Sequence, residues 1–345
     1  MNPVPNVVHT DPSVLSKKDF SSGQEVRWCP GCADFSILNQ VQKTLPTLGI
    51  PRENIVFISG IGCSSRFPYY MNTYGIHGIH GRAPAIATGL KVARPELSVW
   101  VVTGDGDALS IGGNHIMHAL RRNVGIKVLM FNNRIYGLTK GQYSPTSEVG
   151  KKTKSSPLGS VDYPLEPMSV ALGVGATFVA RVIGTDGPLL AEVLLRAAQH
   201  QGTAFVEIYQ SCVIFNDGAF DTLTEGDAKH ERQLRLRQGE KLLFSKGTKG
   251  IGLDEHGHPI AIDVAKEGDG RVLTYDETSE TMPFLLSHLS DDLPTAFGVF
   301  RAVERPTYEE LVTRQVEKAR ARGAGTAQTM LEAGESWTVA AGEGT

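Results

Sequence analysis

Residues 98–133 read SVWVVTGDGDALSIGGNHIMHALRRNVGIKVLMFNN, and the fold turns on this stretch. Ser98–Thr103 is a short Val-rich run that ends in Gly104-Asp105-Gly106-Asp107. Asn114–Arg122 has a helical texture. A second apolar run, Lys127–Phe131, ends in Asn132-Asn133. Short apolar runs closed by Gly or Asn read as buried strands. The same texture extends outward to Asn54–Ser59, Thr177–Val182 and Ala204–Tyr209. Between the strands lie further helical stretches, Phe35–Thr47, Ala83–Ala93, Pro167–Leu172 and Pro188–Gln201. Alternation of this kind predicts an α/β fold, a central parallel sheet with helices on both faces.

Chemically distinctive residues sit just after the strands. Gly60-Ile-Gly-Cys63, Gly104-Asp-Gly-Asp107, Asn132-Asn133 and Ser211-Cys212 each follow one. Open α/β sheets bind ligands beyond the carboxyl ends of their strands, so these loops should converge. Composition narrows the chemistry. The 345 residues carry 34 Lys+Arg against 37 Asp+Glu, a net charge of -3. That balance argues against nucleic acid as a partner. No apolar run approaches the ~18–20 residues of a membrane span. The N-terminal MNPVPNVVHTDPSVL lacks a basic n-region and an apolar h-region, so the expected location is cytoplasmic, where thiols stay reduced.

Residues 1–25 read as an N-terminal arm, 26–225 as the ligand-binding domain, 226–322 as a C-terminal extension and 323–345 as a poorly ordered tail unless Trp337 docks. Within the extension, Lys229–Lys246 reads as a charged helix, 247–270 as a hairpin region and Arg305–Arg322 as an exposed helix.

Four cysteines is the number that holds one metal or one iron–sulfur cluster. Trp28-Cys29-Pro-Gly-Cys32 brings two sulfurs together on a Pro-Gly turn. Cys63 and Cys212 are the candidates for the other two ligands. A 4Fe–4S cluster, a zinc ion and a redox thiol pair all remain open on spacing alone. Gly104-Asp105-Gly106, followed about 28 residues on by Asn132-Asn133, sets a carboxylate and an amide oxygen on adjacent loops. Such a pair suits Mg²⁺ on a diphosphate, against a plain reading as two turns. Gly60-x-Gly62-x-x-Ser65 is not a full dinucleotide fingerprint.

In this arrangement the chain resembles the β subunits of 2-oxoacid:ferredoxin oxidoreductases. Gly-Asp-Gly, about 25–27 residues and Asn-Asn looks like the thiamine-diphosphate signature. Trp28–Cys32, Gly60–Cys63, His77–Arg82, Gly104–Asn133 and Gly137–Gln142 carry the likeness over about residues 20–220. The Trp-Cys-Pro-Gly-Cys form is most similar to the 2-oxoglutarate type.

The resemblance implies a thiamine-diphosphate-binding fold. It implies that Cys29, Cys32, Cys63 and Cys212 ligate a 4Fe–4S cluster. It places Mg²⁺ on Asp105, the Asn133 side chain and the Ile135 carbonyl. Thiamine diphosphate would be surrounded by Ile61, Gly62, Cys63, Ser64, His80, Gly104, Asp105, Gly106, Asp107, Asn133, Ile135, Gly137, Leu138 and Thr139. Arg66 is the candidate catalytic residue, facing a substrate carboxylate, against a plain reading as a surface arginine. No residue here matches the glutamate that activates thiamine, so a partner α subunit is expected to supply it within an (αβ)₂ heterotetramer. Ferredoxin, a 2-oxoacid and coenzyme A complete the expected partners, with reversal toward CO₂ fixation implied. The alternatives are pyruvate as substrate, a non-redox thiamine decarboxylase or ligase with zinc on the cysteines, and an electron-transfer subunit without thiamine. His115 and His118, spaced i, i+3, read as packing residues, and Lys151-Lys152-x-Lys154 as a solvated loop with coenzyme A phosphates as its functional alternative.

Overall fold

The computed structural model of the chain describes residues 14–290, 292–323 and 325–337. Its strands are β1 (Ile55–Ser59), β2 (Tyr74–His77), β3 (Ser98–Gly104), β4 (Ile126–Asn132), β5 (Phe178–Ile183), β6 (Ala204–Tyr209), β7 (Gln233–Arg235), β8 (Leu243–Phe244), β9 (Lys249–Leu253), β10 (Pro259–Asp263) and β11 (Thr295–Ala302). An eight-stranded sheet runs β2-β1-β3-β4-β6-β5-β11-β7. From β2 to β5 every neighbouring pair is parallel, and β11 lies antiparallel on β5.

Strands β1, β4, β5 and β6 are buried along their whole length, as parallel strands covered on both faces must be. The two-residue period divides them between two cores. Val99, Val101, Val128 and Met130 face Ala83, Ala87, Ile116 and Leu120. Trp100, Val102 and Leu129 face Ile37, Val41, Leu190 and Leu194. The helices on the first side are Ala83–Ala93 and Gly113–Arg122, and on the second Asp34–Thr44 and Gly187–Gln199. Among the described residues no helix is long and apolar enough to cross a membrane.

The C-terminal stretch differs from its expected form. Lys229–Lys246 is not one helix. A short helix, Ala228–Arg232, gives way to β7 and β8. Leu234 is fully buried where β7 pairs with β11, and this tertiary pairing overrides the helix-favouring charged residues. The extension thus adds two strands to the main sheet. The hairpin is present as β9 and β10, and the exposed helix as Tyr308–Ala321. The helix expected over Phe35–Thr47 ends at Thr44, where Pro46 turns the chain into a 3₁₀ turn. Phe20 of the N-terminal arm is buried, and Ser21 bridges Met71, while residues 1–13 lie outside the described ones. Trp337 is 84% exposed, and the tail beyond it is likewise outside the described residues.

A charged group anchors the end of the sheet. Glu207 is fully buried and accepts hydrogen bonds from Arg181 Nε at 2.6 Å and from Asn132 Nδ2 at 2.7 Å. Arg181 also pairs with Glu166. Removing one partner of such a network leaves the other's charge uncompensated. Glu207→Ala should therefore cost about 3–5 kcal/mol, measured as a lowered denaturant midpoint.

Candidate functional site

Because β1, β3, β4 and β6 are parallel, their carboxyl ends share one edge. Ile61–Ser64 leaves β1, Asp105–Asp107 leaves β3, residues 133–139 leave β4 and Gln210–Cys212 leaves β6. Every residue expected around the diphosphate lines one cavity there. They are Ile61, Gly62, Cys63, Ser64, His80, Gly104, Asp105, Gly106, Asp107, Asn133, Ile135, Gly137, Leu138 and Thr139. Phe131, Tyr136 and Gln210 complete the wall. The cavity measures about 60 Å³.

Asp105 is buried, and the hydroxyls of Ser144 and Thr146 donate to its Oδ2 at 2.5 and 2.6 Å. Burial raises its pKa, opposed by those hydrogen bonds. A carboxylate disfavoured by burial gains most from a hard cation beside it. The Asn133 side-chain oxygen accepts the Ile135 N–H at 3.2 Å, an Asx turn that brings both residues to the cavity.

Asp107 has a different part. Its carboxylate accepts the Gly81 N–H at 2.7 Å, the Ile61 N–H at 3.1 Å and the Thr103 hydroxyl at 2.6 Å, and it pairs with the His80 ring. It therefore clamps three chain segments and is committed inward. A Cβ on Gly60 would lie 2.0 Å from Asp107 Oδ2, and one on Gly106 2.1 Å from the Tyr136 ring. These glycines are needed for space. The turn that carries Asp107 is π-helical over Asp107–Ile111, a feature common at functional sites.

A second cavity of about 230 Å³ adjoins the first and is lined by Cys29, Cys32, Cys63 and Cys212. The two cavities share Cys63, Asn133, Gly137, Leu138 and Gln210. A Cβ on Gly137 would stand 3.6 Å from the Cys63 sulfur and 3.7 Å from the Cys212 sulfur. Gln210 donates to Cys32 Sγ at 3.1 Å, and Trp28 Nε1 donates to the Cys63 carbonyl at 2.7 Å. Trp28 is held edge-on against Tyr70 at 4.8 Å. Burial, then the Asp34 charge, pushes the Cys63 thiol up to about 11 and moves Cys32 in the same direction. A redox-active pair needs the opposite shift. Among the described residues no three His, Cys, Asp or Glu side chains converge on a single ion. Asp34 is buried beside them, and burial, opposed by the Cys32 side chain, pushes it up to about 7.

Arg66 lines the cysteine cavity, not the glycine-loop cavity. Its Nε donates to Tyr70 Oη at 2.9 Å. His77 lies outside both cavities, 3.0 Å from Tyr69 Oη, and His115 and His118 line neither. Lys151 is tied to Asn216 and to Glu148, and Asn216 in turn donates to the Asn133 carbonyl. Sequence reasoning missed Gln210, Tyr136, Ser144 and Thr146. The strand-end rule was a usable signal for Gln210, which directly follows β6. Nothing in the spacing marks Ser144 or Thr146.

Loops from parallel strands, a buried Gly-Asp-Gly carboxylate and an adjoining thiol cavity define a thiamine-type enzyme. In agreement, residues 60–208 match the family described as "Thiamine pyrophosphate enzyme, C-terminal TPP binding domain". The 2-oxoglutarate oxidoreductase subunit KorB of Mycobacterium tuberculosis is 56% identical over 332 residues, 93% of this chain and 88% of that protein. The 2-oxoglutarate synthase subunit KorB of Archaeoglobus fulgidus is 42% identical over 54% of this chain and 69% of its own length. A solved 2-oxoglutarate:ferredoxin oxidoreductase from Magnetococcus marinus, with 2-oxoglutarate, coenzyme A and succinyl-CoA bound, superposes with a TM-score of 0.75. It is 31% identical, covering 93% of this chain and 96% of that one. The chain therefore belongs to the β subunits of the 2-oxoacid:ferredoxin oxidoreductases. Both named relatives and the solved structure are of the 2-oxoglutarate type.

Proposed function

We propose that this chain is the cofactor-bearing half of a cytoplasmic enzyme that oxidatively decarboxylates 2-oxoglutarate, passes electrons to ferredoxin and transfers the acyl group to coenzyme A. The observation that carries this reading is the shared wall of the two cavities, Cys63 and Gly137 above all. Thiamine diphosphate, when bound, supplies the electron sink for decarboxylation, and the 4Fe–4S cluster takes electrons singly.

The chain's own residues have separable roles. Asp105, Asn133 and the Ile135 carbonyl would hold Mg²⁺, while Ser144 and Thr146 orient Asp105. Cys29, Cys32, Cys63 and Cys212 would hold the cluster, with Gln210 hydrogen-bonded to the Cys32 sulfur. Asp107 and His80 keep the loops in register around the cavity. Arg66 stands where a substrate carboxylate can approach the cysteine side. The absence of a matching activating glutamate calls for an α subunit, in an (αβ)₂ assembly. The same arrangement serves the reverse, CO₂-fixing direction when a low-potential donor is supplied.

A panel of 2-oxoacids on the αβ complex, read as ferredoxin reduction, tests the substrate. The expected result is a kcat/KM for 2-oxoglutarate well above that for pyruvate. Equal values for the two would defeat the assignment.

A further inference from the structure

A cavity of about 570 Å³ lies between the carboxyl end of β5 and the C-terminal stretch. It shares no wall residue with the two cavities already described. Its size falls within the ~300–1,000 Å³ usual for small-molecule sites. Its position, at the same sheet edge as the other loops, is where α/β sheets bind ligands.

The charges in it are unbalanced. Lys229, Arg235 and Lys246 line it, with Asp186 as the acid on its wall. Arg235 is already paired with Asp186, which also caps the helix Gly187–Gln199 by accepting the Leu189 N–H. Lys246 lies 3.6 Å from Asp227, whose side chain is 95% exposed, a pairing worth little in water. Lys229 is half-buried, and its ammonium has no ion pair among the described residues. A cation withdrawn from water without a counter-charge is unfavourable, and an anionic ligand removes that cost.

Two further features point to a ligand rather than to an accidental gap. Ser245, Lys246 and Gly247 all adopt left-handed backbone, with φ of 53°, 56° and 86°. Two non-glycine residues in succession there are strained, and such strain clusters at ligand sites. Ile183, Leu243 and Phe244 give the cavity an apolar part.

We propose that this cavity binds a nucleotide, its phosphates on Lys229 and Lys246 and its base against Ile183, Leu243 and Phe244. The same chemistry has two sources, a free nucleotide acting as an effector, or the nucleotide part of coenzyme A. Only the second rests on the function proposed above.

The test uses the purified αβ complex and calorimetric titration with ADP, followed by competition with coenzyme A. The double variant Lys229→Glu, Lys246→Glu should weaken ADP binding by about tenfold to a hundredfold, as loss of charged phosphate contacts does. Thiamine and iron contents should be unchanged. Leu243→Trp, which narrows the cavity without touching a charge, should weaken ADP as well. If coenzyme A displaces ADP and its KM rises in the double variant, the site takes coenzyme A. If coenzyme A neither competes nor changes its KM, the site takes a free nucleotide. No ADP binding by the parent complex overturns the proposal. So does an affinity that neither variant alters.

Discussion

Asp105→Ala should leave the αβ complex assembled and its iron content intact, yet unable to retain thiamine diphosphate on gel filtration. Turnover should fall on the order of a thousandfold or more, since a cation site worth several kcal/mol is lost. The reasoning rests on burial. Asp105 is 2% exposed, and its carboxylate is disfavoured by that burial even with two hydroxyl donors on it. Ser144→Ala should give a milder defect, through a misoriented but still present carboxylate. Undiminished cofactor retention by Asp105→Ala would remove Asp105 from the site and revive an electron-transfer subunit without thiamine.

Cys212→Ala should abolish ferredoxin reduction while cofactor retention persists. Cys212 lies on the β6 exit, and its sulfur would stand 3.7 Å from a Cβ placed on Gly137, against 3.6 Å for that of Cys63. Removing it opens one side of the thiol cavity and leaves three ligands. The diphosphate loops come from β1, β3 and β4, so their clamp at Asp107 is untouched. The expected signature is loss of visible absorption and of electron transfer together, with the Asp105 site still loaded. Full ferredoxin reduction by this variant would sink the four-cysteine assignment.

The sheet was legible where burial imposes a continuous apolar run. Strands β1 and β3 to β6 were read to within a residue or two because both their faces are covered. Strand β2 escaped because all four of its residues are exposed and carry no alternation. Strand β11 escaped for another reason. Its apolar run is clear, but its partners, β5 and β7, are set by pairing across long sequence separations. The same tertiary pairing undid the helix expected over Lys229–Lys246.

The site was more legible than the extension, because its chemistry lies at strand ends. Position after β1, β3, β4 and β6 was enough to gather the glycine loops and Cys63 with Cys212. What the sequence does not encode locally is which hydroxyl or amide reaches back to a ligand. Ser144, Thr146 and Gln210 each act through a side chain folded over from a separate loop. The role of Asp107 was hidden for the same reason. Within Gly-Asp-Gly-Asp both carboxylates look alike, and only their partners separate the clamp Asp107 from Asp105.

The measurement that tests the central claim most directly is iron and acid-labile sulfide per chain, on αβ complex purified without oxygen. The account predicts about four of each, as one 4Fe–4S cluster requires. About one zinc per chain with no sulfide would contradict it and leave the thiols structural.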